Sequence, residues 1–561
     1  MQHTSKILFL GIMLLFFFEP CVSAKEKYIT PDEIVPILDE IDRLNKRLNE
    51  LNQQQESEKL SEDDQRALDF LKQDMDELTE ILERVETKSI VDRLEIGAEI
   101  RTRMDWFTFQ GHDNIPFTDH PQGKKRDEYV RMQPSNRFRL NLRAQISDNL
   151  KFTSRLTMLR RWSDDDFNVY PDVNFLNTTR VAGNLNLKVE RAYVDYFFEP
   201  NELLPMAFTF GRLPSTDGLP TDLIENTPRK STYPAIAYNV ESDGVGLSLD
   251  LEPLTHLPQT AARMIAVVRY DDHEQYFMGK QLSDKKGVYR VDEKGMDPVY
   301  FLVIQLESHF PDYFGGLMAI MNVLYIPQAP KPDFRYNDDL APFYSDDGLL
   351  FTQGDDSLGY LTKYTLFVES KHFFGYNFDW FAGLSYLRTH ATSATEFMLD
   401  PGELGLPQDP LPAREAYNLL KNYGPSYAVQ LQALENAPTP IGLLNNDGQS
   451  DHDAHCIHVG MRIDLPIAIK QSPKFGIEYN HGSQYWSNFG QGSEDPLQKL
   501  ATRGEAWDFY LLQPISRFFM LRIGHTVTRH DYDQNLSFYY GQPLAIDHKI
   551  TNTYLLMDAK F

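Results

Sequence analysis

The sequence predicts a transmembrane antiparallel β-barrel of about 16 strands, preceded by an α-helical coiled-coil segment. Two observations predict the barrel: from residue 94 onward apolar and polar residues alternate in short stretches, and short and long connections alternate between those stretches. Heptad spacing of apolar residues upstream predicts the helices. We therefore divide the chain into a signal peptide at 1–24, a periplasmic coiled-coil segment at 25–90 and an outer-membrane barrel at 91–561.

The first 24 residues have the features of an export signal. Lys6 precedes the apolar run ILFLGIMLLFFF, and CVSA ends in small residues, which predicts cleavage after Ala24. A lipoprotein anchored at Cys21 is the alternative, but the FEP before that cysteine does not fit a lipobox. Cleavage leaves Cys456 alone, which excludes an internal disulfide in the mature chain.

The coiled-coil segment has apolar residues in steps of three and four, in two blocks that NQQQESEK separates. Ser61 and Asp64 resemble a capping box that opens the second helix. The interpretations are a helical hairpin, a parallel oligomer, most naturally a trimer, or a solvated spacer helix, and the oligomer is slightly preferred. The two seams are formed by Ile34, Ile37, Ile41, Leu44, Leu48 and Leu51, and by Leu68, Leu71, Met75, Leu78, Leu82 and Val85.

The stretch LEIGAEIRTRMDWF at 94–107 shows the strand pattern. Side chains on a strand point alternately to opposite faces, so Leu94 and Ile100 share an apolar face and Glu99 and Arg101 share a charged one. Such a strand suits a wall between lipid and water. Because backbone groups cannot stay unpaired in hydrocarbon, the sheet must close, and about sixteen strands leave an aqueous lumen.

The connections between strands alternate in length. SDN at 147–149 and PIS at 514–516 are short, whereas 163–187 and 531–548 are long. This sorting is typical of outer-membrane barrels, which have short periplasmic turns and longer extracellular loops. Aromatic residues near the strand ends predict interfacial girdles, namely Trp106, Trp162, Phe198, Tyr325, Trp486 and Phe518. The net charge of −26 argues against a nucleic-acid partner.

The final stretch TNTYLLMDAKF alternates up to the terminal Phe561 and resembles the C-terminal signal that the bacterial outer-membrane insertion machinery recognises. With the leader, the coiled coil and strands such as NRFRLNLRAQI, it makes the chain resemble bacterial porins, most closely uncharacterised porin-like proteins that carry GRLPSTDGLP after a barrel strand. The resemblance implies a bacterial outer-membrane location with the N-terminal segment in the periplasm. It also implies contact with lipid and lipopolysaccharide, and a homotrimer.

Basic residues dominate the predicted lumen face of the first five strands. Guanidinium groups stay charged and present donors in a fixed fork, which suits carboxylate or phosphate and favours anions in a pore. The alternative is that they pair with loop acids and stiffen the barrel. This basic wall comprises Arg101, Arg103, Arg137, Arg139, Arg143, Lys151, Arg155, Arg161, Arg191 and Arg212.

The loop after the fifth strand is the candidate constriction, since classical porins fold a loop inward at this position. Its acids Asp217, Asp222 and Glu225 would then face the basic wall and set a transverse field. Pro214 and Pro220 favour a fixed bend over a mobile tip. The alternative is a loop that caps the outer mouth.

The longest connection, 391–454, contains two predicted short helices and ends at DHDAHCIH. It would plug the lumen, cover the mouth or touch a partner. His452, His455, Cys456 and His458 are a weak candidate set of metal ligands. Cys456 and His458 share one face of a strand and His455 lies on the other, so one strand cannot aim all three at one ion. We expect no metal and no cofactor.

The sequence therefore predicts a porin that gives passive diffusion of small hydrophilic solutes, leaning toward anions. It contains no catalytic motif of the common hydrolase, nucleotide-binding or metalloprotease kinds, so we expect no enzyme. Two alternatives assume a plugged lumen. In one the chain is a structural or adhesive envelope protein, and in the other it is a sheath for a redox partner.

Overall fold

The computed structural model describes most of the barrel region. The described residues are 93–112, 126–129, 132–162, 187–198, 204–271, 276–277, 289–291, 296–311, 313, 315–331, 334–336, 350–354, 357–399, 409, 411–412, 415, 417–418, 421, 440–467, 471–490, 493–533 and 541–561. The predicted leader and coiled coil lie outside these residues.

Among the described residues, sixteen long strands form one antiparallel barrel. The first eight are β1 (Leu94–His112), β2 (Gln133–Ser147), β3 (Leu150–Arg161), β4 (Lys188–Phe197), β5 (Met206–Arg212), β6 (Asp243–Asp250), β7 (Ala261–Asp271) and β8 (Met296–Phe310). The second eight are β9 (Leu317–Pro330), β10 (Ser357–Ser370), β11 (Phe378–Ala391), β12 (Asp453–Asp464), β13 (Lys474–Gly482), β14 (Gly504–Pro514), β15 (Phe519–Tyr532) and β16 (Ala545–Lys560).

The barrel closes because β1 pairs with β2 on one side and with β16 on the other. In this seam Arg101 lies opposite Asp558, and the backbone N–H of Phe561 donates to Ala98 at 2.9 Å. Short connections such as 148–149 and 311–316 alternate with long ones such as 162–187 and 392–452. The prediction of an antiparallel barrel of about sixteen strands is thus confirmed. We call its two ends the short-turn end and the loop end.

Short strands in the long connections form further sheet structure at the loop end. Arg126–Tyr129 pairs with β1. In the described part of the chain a second, antiparallel sheet of seven short strands joins connections that are far apart in sequence. These strands are Tyr276–Phe277, Tyr289–Val291, Phe334–Tyr336, Leu350–Gly354, Ala394–Leu399, Leu411–Pro412 and Ile441–Gly442.

The outer face of the barrel is apolar. On β8, Tyr300, Leu302 and Ile304 point outward, and the apolar side chain of Ile304 is 62% exposed in the middle of the strand. A closed sheet leaves no unpaired backbone edge, so such a surface can face hydrocarbon. Phe561 is also 73% exposed. No helix in the described residues is long and apolar enough to cross a bilayer.

The inner face is divided between charged and apolar side chains, whereas the sequence predicts a charged face around an aqueous lumen. Inward residues of β7–β12, among them Phe301, Leu361 and Leu387, form a buried core with side chains from three connections that enter the barrel. Trp486 belongs to this core and is 1% exposed, so its predicted place in an interfacial girdle is wrong. Its strand ends at Gly482, and the chain after it turns inward.

Two loops enter deeply and are named here. The first inward loop spans residues 213–242 and contains the short helix α1 (Thr221–Glu225). The second inward loop comprises the described residues 483–490 and 493–503. They meet where the backbone N–H of Asn239 donates to the carbonyl of Phe489 at 2.6 Å. Consequently the loops form one insert inside the barrel.

Inward glycines allow large rings to lie flat against the barrel wall. Gly476 faces Tyr510 across β13 and β14, and Gly524 faces Tyr554 across β15 and β16. A Cβ atom at either glycine would overlap the neighbouring ring. Ring and glycine thus share a space that two ordinary side chains would overfill.

We expect Gly524→Ala to lower the free energy of unfolding by about 1–3 kcal/mol, since overpacking forces a large side chain off its rotamer. Gly246→Ala is the matched control, because a Cβ there would meet Ile265 Cγ1 at an unstrained 3.7 Å. The measurement is the urea midpoint of each variant in detergent. Unfolding is monitored by the change in electrophoretic mobility between the folded and the unfolded barrel. Equal midpoints would show that the Tyr554 ring is not packed on Gly524.

Candidate functional site inside the barrel

A β-bulge brings two consecutive charges to the inner face of β4. The pairing of β3 with β4 shifts between Arg155 and Leu156, so Glu190 and Arg191 both turn inward. Glu190 is fully buried, although strict alternation would place it toward lipid. It accepts hydrogen bonds from Arg155 at 3.1 Å and from Thr216 at 2.8 Å. A bulge of this kind re-aims a side chain.

The first inward loop is a compact double arm. The backbone N–H of Leu219 donates to the carbonyl of Tyr233 at 2.9 Å, and the backbone N–H of Ala235 donates to the carbonyl of Leu219 at 2.8 Å. Gly218 lies where a Cβ would come within 2.8 Å of the Ala235 backbone. The sequence fits this close approach, because glycine lets two backbones touch.

Asp217 joins the first inward loop to the basic wall. Its carboxylate accepts from Arg155 at 2.6 Å and from Arg139 and Arg191 at 3.3 Å each. Its side chain is only 7% exposed. Burial alone would raise the pKa of Asp217, but the positive charges of Arg139 and Arg155 outweigh it and hold the pKa well below its usual range.

Glu225 makes a second junction with the same wall. It pairs with Arg101 and, at 2.8 Å, with Lys230 of its own loop. Burial would raise the pKa of Glu225, but Lys230 and Arg101 hold it well below its usual range. Asp222, the third predicted acid, points elsewhere and pairs with Lys371 at 2.5 Å. The loop is therefore bound on two sides of the barrel.

The second inward loop adds an acid that sequence reasoning missed. Glu494 pairs with Arg139 at 2.7 Å, with Arg101 at 3.2 Å and with Arg137. Another missed residue is Lys363 of β10, whose ammonium lies 4.2 Å from the centre of the Trp486 ring. Such a cation–π contact fixes the loop from the opposite wall.

The central network is almost neutral. Among the described side chains, five arginines and two lysines lie within 4.0 Å of six carboxylates. The basic members are Arg101, Arg137, Arg139, Arg155, Arg191, Lys230 and Lys560, and the acidic ones are Glu99, Glu190, Asp217, Glu225, Glu494 and Asp558. Five of the ten residues of the predicted basic wall are therefore paired within this network.

The remaining members of the predicted basic wall lie apart from this network. Arg103 pairs with Asp105 at 2.7 Å, and Arg212 pairs with Glu241 at 2.9 Å. Arg143 is exposed and Lys151 is half-buried, both near the short-turn end. Arg161 lies in β3 opposite Ser135, and its side chain is outside the described set.

Arg522 of β15 is an inward guanidinium on another wall. It donates to the carbonyl of Ile224 at 3.2 Å and lies 5.5 Å from the centre of the Tyr554 ring. No carboxylate in the described part of the chain lies within ion-pair distance of it. Its position was visible in the sequence, because it alternates with Met520 and Gly524 on the inner face of FMLRIGHTVT.

The described residues enclose a polar and an apolar cavity inside the barrel, on different sides of the first inward loop. A polar cavity of about 120 Å³ is lined by Arg101, Glu225, Glu478, Glu494, Asp508 and Arg522, among others. A second cavity of about 200 Å³ is mostly apolar and is lined in part by Tyr233, Tyr238, Ile265, Val267 and Phe301. The loop thus separates charged space from apolar space.

The four residues considered as metal ligands are not brought together. Cys456 and His458 point inward, where His458 Nε2 lies 3.3 Å from Glu478 Oε2, while His455 is exposed on the other face. His452 stacks on Tyr485 with ring centres 3.7 Å apart. In the described residues no three His, Cys, Asp or Glu side chains are placed to hold a metal ion.

Comparison with known proteins gives a family and structural likenesses. The profile of a family described as "Protein of unknown function (DUF3373)" matches residues 130–559. No curated protein matches the chain.

Three solved structures are similar at low sequence identity. OprB of Pseudomonas putida is 9% identical with a TM-score of 0.40, covering 84% of this chain and 96% of its own. OmpF of Salmonella typhi, in a complex with daunomycin, is 8% identical with a TM-score of 0.37, covering 83% and 97%. The outer membrane channel DcaP of Acinetobacter baumannii is 10% identical with a TM-score of 0.35, covering 84% and 98%.

We expect Asp217→Asn to destabilise the barrel by about 2–3 kcal/mol at pH 7, because it leaves buried guanidiniums short of a carboxylate. The control is Asp547→Asn, which removes an acid that is 63% exposed and should cost less than about 0.5 kcal/mol. Urea unfolding in detergent compares the two. Equal losses would mean that Asp217 does not hold the loop.

Acid should weaken the ion pairs that Asp217 and Glu225 make with the basic wall. The folded-state pKa values of Asp217 and Glu225 are depressed, so their stabilisation is complete above the unfolded values near about 4 and is lost as the pH falls through the folded ones. The urea midpoint of the wild type should therefore fall between about pH 4 and pH 2. Asp217→Asn should show a shallower fall; an unchanged slope would contradict the assignment.

Proposed function

We propose that this chain, which belongs to the DUF3373 family of proteins of unknown function, is an outer-membrane channel through which small hydrophilic solutes diffuse passively, with a preference for anions. The observation that carries the proposal is the polar cavity between the inward loops and the barrel wall. An apolar exterior and a charged interior are what a barrel in lipid needs to pass polar solutes.

The loops set the size limit in this proposal. Asp217, Glu225 and Glu494 attach both loops to the basic wall, so the constriction is held by several buried ion pairs rather than by one mobile tip. Solutes would be sieved by a fixed opening, without energy input and without catalysis.

The anion preference rests on what remains after pairing. The central network has seven basic groups for six acids. On the other side of the cavity Lys499 pairs with both Glu478 and Asp508, at 2.7 and 2.6 Å, whereas Arg522 lines the cavity without a carboxylate partner among the described residues. A guanidinium in a narrow, poorly screened passage attracts anions and keeps its charge at every accessible pH. Arg522 therefore matters more for selectivity than the paired arginines.

The proposal includes the wider setting. The chain would lie in the bacterial outer membrane, inserted by the machinery that reads its terminal strand, in contact with lipid and lipopolysaccharide and as a homotrimer. The N-terminal segment would lie in the periplasm. The pairing of β1 with β16 supports a barrel complete within one chain, so each protomer would hold its own passage.

A plugged barrel is the second candidate, and the internal apolar core favours it. Residues of three connections, including Ile236, Leu444 and Phe489, are fully buried against β7–β12. A barrel filled in this way would serve as an envelope anchor, an adhesin or a sheath for a redox partner. Folded protein that gives no conductance in planar bilayers would support this candidate and reject the channel.

We expect Arg522→Gln to shift the reversal potential under a salt gradient toward cation selectivity, by roughly a twofold change in the anion-to-cation permeability ratio. Arg529→Gln is the control, because the Arg529 side chain is 60% exposed outside the lumen. A reversal potential that is the same in both variants would remove Arg522 from the selectivity mechanism.

Glu494→Gln should shift the selectivity in the opposite direction, toward anions. It frees three guanidiniums from one shared carboxylate, so anion selectivity and conductance should both rise. Glu252→Gln, an exposed acid in the short helix Glu252–Thr255 at the short-turn end, provides the same charge change away from the lumen. If anion selectivity falls in Glu494→Gln, the assignment of charge to the constriction is wrong.

A further inference from the structure

We infer that the apolar cavity inside the barrel is a binding site for a monocyclic aromatic carboxylate, with the ring among apolar side chains and the carboxylate on Arg263. The inference rests on the proposed channel function, of which it names a substrate class. The cavity is separate from the charged constriction, because the first inward loop lies between them.

The floor of the cavity is a row of residues across four neighbouring strands. Asp195 of β4 pairs with Thr209 of β5, Thr209 with Gly246 of β6, and Gly246 with Ile265 of β7. All four line the cavity. Gly246 has no side chain there, and the nearest atom to a Cβ at this position would be Ile265 Cγ1 at 3.7 Å. The glycine thus leaves room in the middle of the floor.

Aromatic and aliphatic side chains form the roof and sides. Tyr233 and Tyr238 of the first inward loop stack with ring centres 4.4 Å apart, and Phe301 and Val303 of β8 close the opposite side. The volume of about 200 Å³ exceeds the roughly 150 Å³ of an apolar cavity that accommodates benzene. One substituted benzene ring fits this space, and ring contacts with tyrosine and phenylalanine are favourable.

Arg263 supplies the polar end. Its Nη1 donates to Glu307 at 2.7 Å, and the guanidinium makes no other hydrogen bond to a described residue. Glu307 also accepts from Arg229 at 2.6 Å, so Arg263 is not needed to neutralise it. The remaining donors of the fork suit a carboxylate, which guanidinium binds in bidentate fashion.

Asp195 sets the orientation in which an acid would bind in the cavity. It lies three strands from Ile265, or about 14 Å at the usual strand spacing, and it accepts from Thr209 at 2.7 Å. An anionic group is therefore repelled at the β4 side and attracted at the β7 side, where Arg263 lies two residues from Ile265 on the same face. A small acid would bind in one orientation.

The test is fluorine NMR of the full-length protein, folded in detergent micelles, with empty micelles as the baseline. The probe is 4-fluorobenzoate. Trifluoroacetate tests the anion without the ring, and 4-fluorobenzyl alcohol tests the ring without the charge. We expect saturable binding of 4-fluorobenzoate, at least about tenfold tighter than either comparison probe.

Two variants separate the ring site from the charge. Gly246→Leu fills the floor and should weaken 4-fluorobenzoate at least about tenfold. Arg263→Gln should weaken 4-fluorobenzoate about tenfold and change 4-fluorobenzyl alcohol by less than about twofold. If Gly246→Leu does not fold, Arg263→Gln still decides. Binding equal to that of empty micelles, or unchanged in both variants, overturns the inference.

Salt conductance of the same preparation distinguishes this inference from the channel itself. Conductance without saturable 4-fluorobenzoate binding overturns the site and leaves the channel standing. Saturable binding without conductance supports the site and overturns the channel. Binding together with a reversible block of the current by benzoate supports both.

Discussion

The interior depends on the contact between guanidiniums of β1–β4 and carboxylates that two loops carry inward. Arginines buried in a barrel wall need compensation, because desolvated charge without a partner costs several kcal/mol. Asp217, Glu225 and Glu494 provide it from elements far away in the sequence. The same contacts fix where the loops lie, and the position of the loops defines both cavities.

Electrostatics and apolar packing act on opposite sides of one insert. Toward β1–β4 the loops are held by ion pairs, and toward β7–β12 by a core that includes Ile236 and Leu444. Strand β8 is apolar on both of its faces. Leu302 and Ile304 face outward, while Phe301 and Val303 face the internal core. A strand apolar on both faces gives no clear alternation, and only the internal loops explain why its inner face is not polar.

Sequence periodicity predicted the strands well because the side-chain period of two is imposed by the backbone itself. It placed Arg101, Arg137 and Arg139 on the inner face, where the structure has them. It gives no sign that Glu190 turns inward, because a bulge breaks the period there. It failed at Trp486, because nothing in the stretch after Gly482 distinguishes an inward loop from a girdle. Glu494 was missed for a related reason: its partners are known only once the loop is placed.

The seam between β1 and β16 shares a side chain with the insert. Arg101 of β1 binds Asp558 of β16 at 2.7 Å and also binds Glu225 and Glu494. Closing the seam therefore presents a guanidinium whose other partners must already be near. A barrel that closed before the loops entered would bury Arg101 with Asp558 but without Glu225 and Glu494, which costs free energy. Closing the seam and seating the loops are therefore energetically coupled through one side chain.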